Sequence, residues 1–470
     1  MASNQLPLPF DRHGEADPDG TYSEKLICLL SQDLDFHSQK ADYASHGFHS
    51  FPAKFPPQIP RKFITGLTEP GEVVLDPMAG SGTTVLEGFI LGRRALGFDI
   101  DPLALLVSQV KTAPLDKTEV NQVGNNILKQ ATIALDERES ELRELLENRW
   151  DTKTREFVDY WFALETQVGL LALLMEIDKI ADESIRAFFQ LVFSSIIITK
   201  SGGVSLAFDL AHTRPHRAKI VFSRSGEVLL GEELTDRSSP RLKFLTKRLR
   251  FAPYEFKKRF QQNLRSLLDS GFTSPSPRIL RGNAENLPLA DDSVDLIVTS
   301  PPYASNAIDY MRAHKFSLVW LGYCIDQLAQ KRKEYIGGEA TTGFDFERLP
   351  DYSAGTVAAI SELDEKKGRV LHRYYSEMTR TLREMFRVLR PGKAAILVVG
   401  SSVLRGRDTY TQNCLAEIGQ AIGFQVPKIG ERRLDRNRRM LPAGFERNSE
   451  SQIQQRMHVE YIIGFHKPES

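Results

Sequence analysis

The sequence predicts a doubly wound α/β protein carrying a long, mostly helical insertion. Three observations predict it. Val73-Val74-Leu75 is a short apolar run that ends on Asp76 and opens into the Gly-rich turn Met78-Ala79-Gly80-Ser81-Gly82. Residues 85–91 then read as a helix, and Ala95-Leu96-Gly97-Phe98-Asp99 as a second buried strand ending on an acid. Strand, glycine turn, helix, strand is the opening unit of an open parallel sheet. The same strand pattern resumes far downstream, in Arg278-Ile279-Leu280, Val294-Asp295-Leu296-Ile297-Val298 and residues 394–399.

The rest of the chain falls around these segments. Its 470 residues exceed one typical domain, and an apolar fraction of 41% allows a full core. Residues 1–44 form an N-terminal segment, polar to about residue 20, with a short helix at 23–33. Residues 45–115 hold the first half of the sheet domain; within them, 48–60 contain four prolines and three phenylalanines, which predicts a fixed extended loop. Residues 116–275 are the insertion. It is rich in helix formers over 118–200, with apolar spacing at Ile127, Ile133, Leu142 and Leu145, and 136–149 read as a solvated helix face. One strand-like piece, Lys219-Ile220-Val221-Phe222, precedes a basic amphipathic helix pattern over 241–269. Residues 276–470 complete the sheet domain, with a helix at 372–389 stopped by Arg390-Pro391-Gly392, a helix at 412–423 and a closing strand at 458–465.

Composition excludes some classes and leaves others open. With 61 basic and 61 acidic residues, global charge neither requires nor forbids nucleic acid, so any such surface must come from local clusters. Cys28, Cys324 and Cys414 are far apart and form no CxxC pair, so neither a disulfide framework nor a zinc site is expected. Residues 1–18 lack a basic-then-apolar signal pattern, and no run of 18 apolar residues occurs. These features predict a soluble cytoplasmic protein.

The glycine turn carries the first chemistry. Gly80 and Gly82 permit backbone angles and approach distances that a side chain would block. Asp76, at the strand end, can bond a cationic amine; Asp99, at the end of the next strand, can take two ribose hydroxyls. The turn lacks the lysine of a phosphate loop, so a nucleoside ligand without phosphates fits better.

Asp76-Pro77-Met78-Ala79-Gly80-Ser81-Gly82-Thr83-Thr84 resembles the first motif of the N4-cytosine and N6-adenine DNA methyltransferases, which usually have Phe where Met78 stands. The resemblance implies a Rossmann-like class I methyltransferase sheet with S-adenosyl-L-methionine as cofactor. It places Asp76, Pro77, Gly80, Gly82 and Thr83 around the methionine part of the cofactor and Asp99 on its ribose. Phe51-Pro52-Ala53-Lys54-Phe55-Pro56-Pro57 resembles the family's further cofactor motif, which implies that Lys54 meets the cofactor carboxylate and that Phe51 or Phe55 packs near it. Asn283 stands where the family often places a polar side chain near the adenine. A proline-fixed loop and a turn asparagine are the plain readings of these last two features.

Thr299-Ser300-Pro301-Pro302-Tyr303 follows a buried strand and so lies at the carboxyl edge of the sheet, where α/β sites form. Two prolines fix the backbone and leave carbonyl acceptors facing the site. An exocyclic base amine is a poor nucleophile because its lone pair is delocalised into the ring. The Ser300 hydroxyl and the Pro301 carbonyl can hold its two hydrogens, and Tyr303 can stack on the base. Such a base must leave the duplex to be reached. The resemblance covers about 60% of the chain, and serine at the first position of the motif is commoner in its N4-cytosine members. It implies Ser300, Pro301, Pro302 and Tyr303 as catalytic residues of a site-specific cytosine-N4 DNA methyltransferase acting on a flipped base, within a restriction-modification system. An N6-adenine DNA enzyme and an RNA base-amine methyltransferase are the alternatives. Methylation at cytosine C5 would need a cysteine after a proline, and none of the three cysteines follows one.

Residues 304–320 form a dense polar and aromatic stretch in which Asn306 and Asp309 are site candidates, while His314 and Trp320 read as packing. Three basic clusters offer phosphate contacts. They are Lys243, Lys247, Arg248, Arg250, Lys257, Lys258, Arg259 and Arg265; Arg405 and Arg407; and Arg432, Arg433, Arg436, Arg438 and Arg439. The insertion is the natural place for target recognition.

Overall fold

The computed structural model describes residues 20–37, 39–52, 54–199, 201–210, 215–231, 246–268, 275–304, 309–434 and 459–469. The readings made for residues 1–19 and for Lys243, Asn306, Arg436, Arg438 and Arg439 lie outside the described residues.

Seven strands form the central sheet: β1 (Val73–Asp76), β2 (Arg94–Asp99), β3 (Arg278–Arg281), β4 (Val294–Thr299), β5 (Leu389–Gly400), β6 (Gln425–Arg433) and β7 (Val459–His466). Their spatial order is β6-β7-β5-β4-β1-β2-β3. Neighbours from β3 to β5 are parallel, and β7 runs antiparallel to both β5 and β6. This is the doubly wound, Rossmann-like sheet that the sequence predicts. The strand order reverses between β1 and β4, so a crevice opens at their carboxyl ends.

The described residues include fifteen α-helices: α1 (Tyr22–Ser31), α2 (Gln58–Leu67), α3 (Thr83–Ile90), α4 (Pro102–Thr112), α5 (Lys117–Glu137), α6 (Glu139–Glu147), α7 (Thr152–Trp161), α8 (Leu164–Asp178), α9 (Glu183–Ile197), α10 (Ala252–Arg265), α11 (Tyr310–Leu318), α12 (Ile325–Lys333), α13 (Asp351–Ser361), α14 (Glu365–Val388) and α15 (Thr411–Ile422). On one sheet face, Leu26, Leu30, Ile59 and Phe63 of α1 and α2 pack on Val74, Leu296, Val298 and Ile396. On the other, Tyr375, Leu382 and Leu415 of α14 and α15 pack on Leu75, Ile297 and Leu397. Alternate residues of β1, β4 and β5 therefore face two cores, which is why these strands read as unbroken apolar runs.

The insertion has a small cluster of its own, Leu206, Ala218, Val221 and Leu249, but its helices share their core with the sheet domain. Leu171, Phe188 and Phe193 share one apolar cluster with Leu103 and Val107 of α4 and with Phe316 and Trp320. It also braces the proline-rich loop. The Phe48 carbonyl accepts from Ser195 Oγ at 3.0 Å and from Asn263 Nδ2 at 3.2 Å, and His49 Nε2 lies 2.9 Å from Ser194 Oγ.

Four expectations are corrected. The loop expected over 48–60 ends early, because α2 begins at Gln58. Pro60 is accommodated in the first turn, where backbone N–H groups have no helical partner. The pattern over 241–269 is not one helix: a strand, Thr246–Arg248, precedes α10. The helix expected over 372–389 starts earlier, at Glu365, where the Asp364 carboxylate accepts from the Lys367 N–H at 3.0 Å. Finally, Arg390-Pro391-Gly392 does not separate helix from strand, since β5 begins at Leu389 and absorbs these residues in a register shift before Ala394. Among the described residues no single helix is long and apolar enough to cross a membrane.

Candidate functional site

The crevice is built on two buried residues that end adjacent strands. Thr299 Oγ1 donates to Asp76 Oδ1 at 2.6 Å, joining the end of β4 to the end of β1. The Met78 N–H donates to the same oxygen at 3.2 Å. Asp76 is 1% exposed, and its Oδ2 has no hydrogen-bond partner among the described residues. Burial pushes its pKa up to about 6.

The glycine turn separates its two glycines by role. Gly80 has φ +50°, and its N–H donates to Asp99 Oδ2 at 2.7 Å. The Asp101 N–H donates to Asp99 Oδ1 at 2.8 Å. Burial, followed by the charge of Asp101, pushes the pKa of Asp99 up to about 7. Gly82 has φ +72° and precedes α3, where a Cβ would lie 2.6 Å from Ser108 Cβ of α4. Beneath the turn, the buried Lys111 donates from Nζ to the Ser81 carbonyl at 2.7 Å, and burial holds its pKa well below the usual lysine value.

A buried carboxylate fixes the turn to the loop before α2. Glu87 of α3 accepts from Tyr43 Oη at 2.6 Å and from Arg61 NH1 at 3.0 Å, with His46 Nε2 at 2.7 Å. Lys54 Nζ donates to the His46 carbonyl at 2.9 Å.

A cavity of about 690 Å³ opens above these groups. Of the residues singled out in the sequence, Phe51, Lys54, Pro77, Gly80, Thr83, Asp99, Asn283, Ser300, Pro302 and Asp309 line it. Asp76, Gly82, Pro301 and Tyr303 are not on its wall. Asp76 is joined to the wall through Thr299, and Gly82 is turned against Ser108. Ser300 Oγ donates to the Val398 carbonyl of β5 at 3.0 Å. Tyr303 Oη donates to Glu460 Oε1 at 2.9 Å, and Arg432 closes on the other oxygen of Glu460. Burial and then the Glu460 charge hold the Tyr303 pKa well above the usual tyrosine value. Asn283 Oδ1 accepts from the Glu285 N–H at 3.0 Å, so the side chain shapes a turn on the cavity wall.

Sequence reasoning missed a second layer. Asp101 Oδ1 caps α4 by accepting from Leu103 N–H at 2.7 Å and Ala104 N–H at 3.0 Å. Its Oδ2 lies 2.7 Å from His314 Nδ1 and accepts from Tyr335 Oη at 2.7 Å. Against the upward push of burial, His314 and then Tyr335 hold Asp101 below its ordinary pKa. The ring of His314 lies 5.0 Å from that of Phe51, and Tyr310 lies 5.7 Å from Phe51. Asp-Ile-Asp-Pro carried a legible signal, an N-cap followed by proline at the first helical position. Nothing local to that signal names the second partners. Asp309 pairs with Arg312 Nε at 2.7 Å and Arg332 NH2 at 2.5 Å.

The basic clusters divide likewise. Lys247 is buried and donates to the Ala207 carbonyl at 2.6 Å, with burial lowering its pKa to about 7, so it is a structural lysine. Arg248, Arg250, Lys257, Lys258 and Arg265 are exposed. Arg432 is committed to Glu460.

Residues 31–109 match the family model of the N6/N4 DNA methylases. The chain is 24% identical over 419 residues to the Type II methyltransferase M.MvaI of Kocuria varians, covering 84% of this chain and 85% of that one. It is 21% identical over 465 residues to the Type II methyltransferase M.BsoBI of Geobacillus stearothermophilus, covering 86% and 85%. Among solved structures, a TehB-like SAM-dependent methyltransferase of Corynebacterium glutamicum covers 87% of this chain and 86% of its own at 8% identity, with a TM-score of 0.27, too loose a likeness to inform the site. The partnerless buried oxygen of Asp76 fits a cationic amine, and the paired acids of the turn fit a nucleoside without phosphates. The chain carries the N6/N4 DNA methylase match over residues 31–109 and is similar over most of its length to Type II DNA methyltransferases, and S-adenosyl-L-methionine is its cofactor.

Proposed function

We propose that the chain methylates the exocyclic N4 of a cytosine flipped out of double-stranded DNA, as the modification half of a restriction system. The observation that carries this reading is the Ser300 hydroxyl. It stands on the cavity wall at the point where the strand order reverses, and its proton is committed to the Val398 carbonyl at 3.0 Å. Its remaining lone pairs are therefore acceptors. A base amine offers two hydrogens, and Ser300 Oγ with the Pro301 carbonyl can take both.

The remaining residues take roles on either side of that point. Asp76 Oδ2 takes the cofactor amine and Asp99 its ribose hydroxyls, while Lys54 meets its carboxylate. Phe51, Pro77, Gly80 and Thr83 pack around it, and Asn283 stands by its adenine. Gly82 acts behind the turn by letting α3 approach Ser108. When bound, the cofactor supplies an electrophilic methyl group on a sulfonium centre. The chain's part is orientation: acceptors that hold the amine hydrogens free its lone pair from the ring and aim it. Such alignment can supply about 7–11 kcal/mol of a barrier. Tyr303, latched through its hydroxyl to Glu460, presents a fixed ring for stacking on the extruded base. We assign target recognition to the insertion 116–275. A groove between α5 and α10, lined by Lys129, Arg224, Arg250, Tyr254 and Lys257, supports that assignment.

Incubation with methyl-labelled cofactor and duplex DNA, followed by nucleoside mass spectrometry, tests the reading. N4-methylcytosine is the expected product. N6-methyladenine moves the target to the other amine, and transfer to RNA alone rejects DNA. Stacking on an aromatic ring is worth about 1–3 kcal/mol per base. Tyr303→Ala should therefore lower kcat/KM by about tenfold to a hundredfold, measured below its own melting transition, and Tyr303→Phe, which keeps the ring, by less. Normal turnover of Tyr303→Ala refutes the stacking role.

A further inference from the structure

Past Gly400 the chain leaves the sheet as a small hairpin, Val403–Leu404 paired with Arg407–Asp408. Its two turn residues, Arg405 and Gly406, have φ +51° and +80°. Positive φ at both positions matches the twist of a tight hairpin, yet arginine rarely adopts it, so the surroundings must hold it there.

They hold it at both ends. At the base, Ser402 Oγ donates to the carbonyl of Ala304, the residue that follows Tyr303. The Thr409 carbonyl accepts from Tyr375 Oη at 2.9 Å, and Leu404 is buried at 8% exposure. At the tip, Arg405 donates from Nε and NH2 to Asp364 Oδ2, at 2.9 and 2.7 Å. Asp364 caps α14, and Lys367 in the first turn of that helix lines the main cavity. The hairpin thus joins the turn that follows Ser300 to the helix whose Lys367 lines the cavity.

None of this is required by the chemistry of the site. What the hairpin presents is cationic. Arg407 is exposed and has no ion-pair partner among the described residues. Val403 and Tyr410 flank it at 41% and 48% exposure. The one acid of the hairpin, Asp408, is turned back and accepts from Ser401 Oγ and from the Tyr410 N–H at 2.7 Å.

We propose that this hairpin grips the backbone of duplex DNA beside the extruded nucleotide, with Arg407 on a phosphate. The proposal rests on the DNA reading above. Each phosphate neutralised adds about 0.9 to the slope of log affinity against log salt. Fluorescence anisotropy with a labelled target duplex, across a salt series, reads that slope. Arg407→Ala should lower it by about 1, equally for target and non-target sequences. Arg407→Lys should restore it. Arg405→Ala, which releases the tip from Asp364, should weaken DNA binding while cofactor affinity, read by calorimetry, stays at the wild-type value and reports an intact fold.

Wild-type slope and affinity in Arg407→Ala, in a preparation whose parent binds and methylates DNA, overturn the hairpin proposal alone. A parent that binds no DNA and methylates RNA overturns both it and the reading beneath it. Loss of self-association in sedimentation with DNA affinity intact makes the hairpin a contact between copies and also overturns the proposal.

Discussion

Replacing Asp76 by Asn weakens S-adenosyl-L-methionine binding by about a hundredfold, because removing one partner of a buried charge pair costs about 3 kcal/mol. Asparagine keeps the size of the side chain and can still accept from Thr299. What it loses is the charge on Oδ2, the buried oxygen left without a partner among the described residues. Titration calorimetry measures the change; an affinity within threefold of wild type would place the cofactor amine elsewhere.

The same carboxylates predict a pH dependence whose sign is fixed. In the free protein the pKa of Asp76 is near 6 and that of Asp99 near 7, both raised chiefly by burial. A cationic amine and ribose hydroxyls favour the ionised forms. Affinity is therefore full above pH 7 and falls as pH drops through 7 and then 6, with protons released on binding. Folding follows the opposite course. A carboxyl with a raised folded pKa adds a folding cost that grows as pH rises from the unfolded value of about 4 and is complete above the folded value. Bound cofactor offsets this cost, so its effect on the melting temperature should be largest near pH 8 and shrink toward pH 5.5. A flat profile in the wild type contradicts these assignments, and Asp76→Asn should delete the limb near pH 6 alone.

Gly82→Ala should destabilise the fold by about 4 kcal/mol, a large share of the roughly 5–15 kcal/mol that holds a typical domain. Two penalties add. A side chain at φ +72° costs about 1–3 kcal/mol. Overpacking adds about 1–3 kcal/mol more, because the new Cβ lies 2.6 Å from Ser108 Cβ and 2.9 Å from its Cα. Ser108 has no room to yield: it is fully buried, its hydroxyl is bonded to the Ala104 carbonyl at 2.6 Å, and α4 shares the core of the insertion. Gly80→Ala is the contrast. There a Cβ meets nothing closer than Phe51 at 3.6 Å, so only the backbone strain of about 1–2 kcal/mol remains. Urea unfolding midpoints separate the two variants, and equal midpoints would refute the packing role of Gly82.

The contrast also shows what was legible in the sequence. Both glycines read as permitting ligand approach, since sequence reveals that a turn needs glycine but not which neighbour demands it. The demand on Gly82 comes from Ser108, a helix and a strand away. β1, β2 and β4 were legible because they are buried within the sheet, whereas β6 was not predicted. It is an edge strand with Pro427 and Gly430, mostly half-buried, so neither apolar run nor alternation marks it. α12 buries only Leu328 among its nine residues, which leaves no helical period to detect. Asp76 and the motif from Thr299 to Tyr303 were each legible, while their hydrogen bond joins residues 223 positions apart and exists only through the sheet.

That bond ties the two halves of the proposed site together through one proton. Thr299 directs its hydroxyl hydrogen to Asp76 while its backbone leads directly into Ser300. Whatever charge Asp76 carries sets the strength of this hydrogen bond, and with it the firmness of the base-holding turn. Thermodynamic reciprocity then requires that a captured base tighten the grip on the methyl donor by the same factor that the donor tightens the grip on the base. If Asp76 takes the donor and the turn takes the base, as proposed, the junction of two strand ends would be a site of heterotropic cooperativity, with each partner strengthening the other's binding by one shared factor.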